Sequence, residues 1–325
     1  MMMWAASGLV DNGRRAVGPT RGGAYPRPIF FLYTSAMTRK REISIFIDES
    51  GELSAPCRPD SCRDAFYIVS LVFHNQETDL SPLIGGLNHD LVCMDLPGID
   101  EHHALHSYNL IRGEEPYQAF PLQDRRRLFN RSVDFACQCA RIGISADVLV
   151  LDRRSYLSGE PGPHGLRAIR EGGRDDMERQ VREWLTGAIS AHRSELGRYD
   201  TVKVYYDNGQ DWLARLIHDV LRHEVVEDEL QFKKDVDQAQ YKLLQVADLM
   251  CTNALLQRKL AEDEDFTNND VAFFRSSGRA KKRNRRKTTQ PAASGTSRPL
   301  SEAGSKIQIL GKRLSALLRA PIPRP

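Results

Sequence analysis

Three aspartates sit where a chain that holds a divalent metal would put them. Asp48 follows the apolar run Ile43–Ile47, Asp207 follows Val202–Tyr206, and Asp248 lies inside the apolar stretch Tyr241–Leu260. A strand that ends in a carboxylate presents it at the sheet edge, and a carboxylate among Leu, Val and Met is costly to bury without a partner or a cation. Each aspartate also has a plainer reading. Asp48-Glu49-Ser50-Gly51 has the composition of a tight turn. In Tyr205-Tyr206-Asp207-Asn208-Gly209-Gln210 the Asn-Gly pair favours a turn, and Asp207 is placed to cap a helix starting near Asp211.

The third aspartate resists the plainer reading. Spacings of four, three and four put Tyr241, Gln245, Asp248 and Thr252 along one face of a helix whose other faces are apolar. Such a polar seam must face something polar, whether a carboxylate site, a water-filled groove or another subunit. A fourth segment, His102 to Tyr117, gathers His102, His103, His106 and Arg112 in a short irregular stretch. Histidine serves as acid, base or ligand near neutral pH, which makes His106 a candidate, although clustered histidines on a loop are commonly surface residues.

The elements that must position these groups are strands at Ile43–Ile47, Ala65–Phe73, Ile144–Leu151 and Val202–Tyr206, with a weaker one at Glu229–Lys233. Helical patterns lie at Gln123–Arg141, Asp175–Ser194, Asp211–His223 and Tyr241–Leu260. The first two strands are close enough to pair as a hairpin, and the later alternation implies an α/β layered domain with a mixed sheet.

The chain has 325 residues, 41% of them hydrophobic, enough for a substantial core. Its charge is segregated. Residues 1–42 carry 7 Lys/Arg and 2 Asp/Glu, residues 43–275 carry 26 and 40, and residues 276–325 carry 13 and 1. An acidic body with basic ends does not look built to grip nucleic acid by its globular face; the basic run Arg279–Lys287 reads first as a solvated, disordered tail, with an electrostatic tether to nucleic acid as its alternative. Residues 1–40 read as a flexible leader, with Met37 an alternative start, residues 41–275 as the folded body, and residues 276–325 as a basic low-complexity tail holding one amphipathic stretch near Ile307–Leu318. Six scattered cysteines lack a paired CxxC pattern, and Cys137 and Cys139 fall on different helix faces, which argues against zinc and for a reduced, cytoplasmic setting. No run reaches membrane-spanning length, so no membrane partner is expected.

Read together, Asp48-Glu49-Ser50-Gly51, the His106-Ser107 segment continuing to Leu110-Ile111-Arg112-Gly113-Glu114-Glu115-Pro116-Tyr117, the Tyr205–Gln210 motif and the Tyr241–Leu249 motif resemble the signatures of the domain of unknown function 3800 family, whose members are similar to the ribonuclease H-like superfamily. The resemblance covers most of residues 43–274. It implies an α/β fold, a ribonuclease H-like mixed five-stranded sheet flanked by helices, with Asp48 on the first strand, Asp207 at the end of the fourth and Asp248 on a late helix packed across them. It further implies that these three carboxylates hold Mg²⁺ or Mn²⁺ for phosphodiester hydrolysis, with a fourth ligand to be supplied by Glu49, Glu101 or His106. The expected function is therefore a metal-dependent nuclease or phosphodiesterase. A non-catalytic ribonuclease H-like interaction or regulatory module is the alternative. An aspartyl-phosphate phosphatase fits poorly, because Ser50 stands where a second Asp is wanted.

Overall fold

Along the first strand, Ile43, Ile45 and Ile47 alternate with Ser44, Phe46 and Asp48, sending two rows of side chains to opposite faces of a sheet. Both rows are buried, so both faces must be covered. The computed structural model describes residues 40–57, 65–160, 162, 165–207, 209–234, 236–262, 266–275 and 297–318. The leader up to residue 39, Cys62 and the basic run Arg279–Lys287 lie outside the described residues.

Strand β1 (Glu42–Ser50) pairs antiparallel with β2 (Phe66–Asn75), which pairs antiparallel with β3 (Ser145–Asp152). On its other side β1 runs parallel to β4 (Thr201–Tyr206), which runs parallel to β5 (Leu230–Phe232). The order is β3-β2-β1-β4-β5. The protein is thus α/β with a five-stranded mixed sheet flanked by helices, consistent with the ribonuclease H-like fold expected from the sequence. Eight described helices accompany it: α1 (Ser81–Cys93), α2 (Ser107–Arg112), α3 (Leu122–Arg141), α4 (Gly173–Leu196), α5 (Asp211–Glu224), α6 (Lys242–Ala261), α7 (Asn268–Phe274) and α8 (Ser297–Leu314).

One face of the sheet packs Ile45, Ile47 and Val204 against α4 and α5. Helix α5 buries Leu213, Leu216, Ile217, Val220 and Leu221, a helical stripe of a single face. The other face packs Phe46, Val72 and Tyr205 against α6 and the helices around it. Helix α6 is buried nearly all round, so it reads as apolar rather than amphipathic. Its Lys259 is buried and salt-bridged at 2.9 Å to Asp270, the residue that also closes a capping box with Thr267 at the start of α7.

Two features extend or correct the sequence reading. The stretch after His106 is not irregular throughout, since Ser107–Arg112 form α2, ended by Gly113 with φ of +70°. Helix α8, from the stretch read as tail, packs Ala303, Ile307, Leu310 and Leu314 into the same core as α3 and α6. Among the described residues, no helix is long and apolar enough to cross a membrane.

Candidate metal centre

The parallel pairing of β1 with β4 sets Ile47 beside Tyr206, so the next residue on each strand is an aspartate, Asp48 and Asp207. Asp48 is buried, with 7% of its surface exposed. Glu49, although its side chain leaves the opposite face of β1, turns in at the strand end to the same point. Carboxylate oxygens of Asp48, Glu49 and Asp207 all lie within 4.8 Å of one another. Opposite ligands of an octahedral Mg²⁺ are about 4.2 Å apart, twice a bond of about 2.1 Å, so small side-chain rotations would close the group around one ion.

The surrounding chain holds this arrangement from both sides. The Tyr206 hydroxyl donates to Glu49 Oε1 at 2.9 Å and accepts from the Gln210 amide at 2.7 Å. Gln210 Nε2 donates to the Gly51 carbonyl at 2.9 Å, tying the loop after β4 to the turn after β1. Gly209 leaves room for this carboxylate: a β-carbon on it would push the Glu49 carboxylate aside. Gly51 is required, by a φ of +93° and a β-carbon position 2.8 Å from the Phe66 carbonyl. Gln238 Nε2 lies 3.4 Å from Asp207 Oδ2, and Gln245 on α6 holds Gln238 through its backbone carbonyl at 3.1 Å.

Helix α6 brings Asp248 across the strands. The Ser70 hydroxyl on β2 donates to the Ala247 carbonyl at 2.9 Å, and the Cys251 thiol approaches the Asp48 carbonyl at 3.6 Å, fixing the helix on either side of Asp248. Asp248 Oδ2 accepts from the Ser107 amide at 2.7 Å. His106, the residue before α2, donates its amide to the Tyr117 hydroxyl at 3.1 Å and stands close enough to Asp248 to favour its ionised form.

The electrostatics are those of a site short of positive charge. Burial first, then the charges of Asp248, Glu49 and Asp207, push the Asp48 carboxyl well above the usual carboxylate range. Burial raises Asp248 as well, against the pull of the Ser107 amide and His106. Burial lifts Glu49 to about 7 despite the Tyr206 hydrogen bond, with Asp207 adding to the rise. Among the described residues, none of the four carboxylates forms an ion pair with Lys or Arg. The buried oxygens Glu49 Oε2, Gln238 Oε1 and Gln245 Oε1 accept no hydrogen bond from a described residue. With Glu49 ionised all three are acceptors, so whatever completes them then brings positive charge or donors. Such a cluster could hold a divalent metal ion.

Of the residues singled out in the sequence, Asp48, Glu49 and Asp207 come together, with Asp248 the carboxylate whose charge acts most strongly on Asp48. Asp207 does not cap α5, whose N-cap residue is Gln210 and which has no side-chain cap. Glu101 is exposed in a turn and pairs with His102. Tyr206, Gly209 and Gln238 were not anticipated. Tyr206 and Gly209 lie inside the quoted motif, whereas Gln238 sits in an unpatterned loop and carries no sequence signal. A scan of the chain against protein-family models and a search of curated proteins both found no match.

Proposed function

We propose that the protein is a divalent-metal-dependent phosphodiesterase, most simply a nuclease, of the domain of unknown function 3800 type. The observation that carries this reading is the meeting of Asp48, Glu49 and Asp207, from two separate strands, without a basic partner. Asp48, Glu49 and Asp207 would hold Mg²⁺ or Mn²⁺, with Asp248 Oδ1 the fourth carboxylate oxygen, since Oδ2 is taken by Ser107. A divalent cation bound there would polarise a phosphoryl group and acidify a water. The chain's own part is orientation: Tyr206 fixes Glu49, Gln238 fixes Asp207, and the Ser107 amide fixes Asp248.

A second reading, a scaffold without chemistry, is favoured by one feature, the Ser107 amide that already engages Asp248. Hydrolysis of bis(4-nitrophenyl) phosphate in Mn²⁺ separates the two. The enzyme reading expects turnover that Asp207→Asn reduces by more than about 100-fold, beyond the 10- to 100-fold effect of losing an outer partner. Equal turnover in that variant, or none in the wild type, contradicts it.

A further inference from the structure

We propose that a single-stranded nucleic acid reaches the carboxylate centre along the crevice between α4 and α5, held by cations and stacked on aromatic rings there. This names the substrate of the centre and rests on its reading as a phosphodiesterase. The two helices run in step. Arg182 meets Asp219 and Ser190 meets Glu224, so both begin at the end of the sheet that carries Asp207. Between them lies an open cavity of about 1100 Å³, and a second of about 360 Å³ shares Ala214 and His218 with it. Their combined size exceeds the 300–1,000 Å³ usual for a small-molecule pocket, which suits an extended ligand.

The lining is cationic in a body that is otherwise acidic. Arg174, Arg179, Arg182 and Arg215 border the larger cavity, and Lys233 and Lys234 the smaller. Asp175, Glu178 and Asp219 oppose them in the lining, and Asp176 and Glu183 beside it pair with Arg179. Arg174, Arg179 and Arg182 are paired with acids, but Arg215 and Lys234 are exposed and have no acidic partner among the described residues. Those two therefore provide most of the attraction for a polyanion. Interleaved with the cations are Trp212 and the pair His218–Phe232, whose ring centroids are 4.6 Å apart. Aromatic rings between cations suit unpaired bases, which can splay out and stack, and not a duplex.

A relay of hydrogen bonds also ties the crevice wall to the centre. Trp212 Nε1 donates to Gln210 Oε1 at 2.7 Å, the Gln210 amide donates to Tyr206, and Tyr206 donates to Glu49. A strand seated against Trp212 thus lies three hydrogen bonds from a metal-holding carboxylate. The sequence hides this arrangement because Trp212, Arg215, Phe232 and Lys234 come from α5 and from β5 and its end.

The test compares the full chain with Arg215→Glu/Lys234→Glu, both exposed positions, using fluorescence anisotropy of labelled oligouridine and oligothymidine across a salt series in EDTA. The proposal expects at least about 10-fold weaker binding and a log–log salt slope shallower by about 1.4, which is 0.7 for each lost phosphate contact. It also expects tighter binding of single strands than of a duplex, and unchanged Mn²⁺-dependent hydrolysis of bis(4-nitrophenyl) phosphate. Unchanged strand affinity in the double variant, with binding lost instead on neutralising the basic run 279–287, would overturn it, as would equal binding of duplex. Strand binding that depends on Arg215 and Lys234 in a protein that never cleaves the small diester would uphold the crevice and refute the phosphodiesterase reading.

Discussion

Glu49 shows how one side chain carries the conflict of the whole site. Its carboxyl is lifted to about 7 by burial, its Oε2 lacks a described partner, and its Oε1 is held by Tyr206. A carboxyl whose folded pKa lies above its unfolded value of 4.5 binds its proton more tightly in the folded state. Its contribution to stability is therefore complete below about 4.5 and is lost as the pH rises through about 7. Asp48 and Asp248 shift in the same direction. Thermal melts in EDTA should accordingly show falling stability between pH 5 and pH 8. Glu49→Gln should flatten that fall by up to about 3 kcal/mol, the equivalent of about two and a half pKa units. Melts with the same pH slope in wild type and variant would show that Glu49 does not sit in the charged, buried setting described.

At the scale of elements, the site depends on strand ends meeting and on α6 lying across them. Strands β1 and β4 were legible because each is a β-branched and aromatic run closed by an aspartate, and α5 because its apolar stripe repeats cleanly. Other elements escaped for physical reasons. Gly85 and Gly86 interrupt the helical pattern of α1, and α2, at six residues, is too short to show a period. The signal for α7 is its cap, Thr267 with Asp270, rather than an apolar stripe. Helix α8 was visible as an amphipathic stretch, but its docking partners on α3 and α6 are far away in sequence. Ile307 is fully buried there, and its backbone carbonyl accepts from Gln257 on α6. Ile307→Ala should cost about 2–4 kcal/mol and lower the melting temperature by about 4–10 °C. An unchanged melting temperature would mean that α8 is not part of the core.

At the scale of the molecule, four carboxylates gathered at one end of a sheet are affordable only if something positive joins them. Their collective position could not be read from spacing alone, because Asp48 and Asp207 are brought side by side by a parallel pairing of strands 150 residues apart along the chain, at the register Ile47 with Tyr206. Legible in advance was the chemistry of each residue; Glu101 and Glu49 were equivalent as letters, and only the fold separates the exposed turn of one from the strand end of the other. The basic groups also separate by location, with Arg215 and Lys234 on the crevice and none paired to the carboxylates among the described residues. Isothermal titration of the metal-free protein with Mn²⁺ tests the central claim most directly. Saturable binding that is lost in Asp48→Asn, in a variant that still melts cooperatively, is the expected result. No binding by the wild type, or the same binding by Asp48→Asn, would contradict a metal centre at Asp48, Glu49 and Asp207.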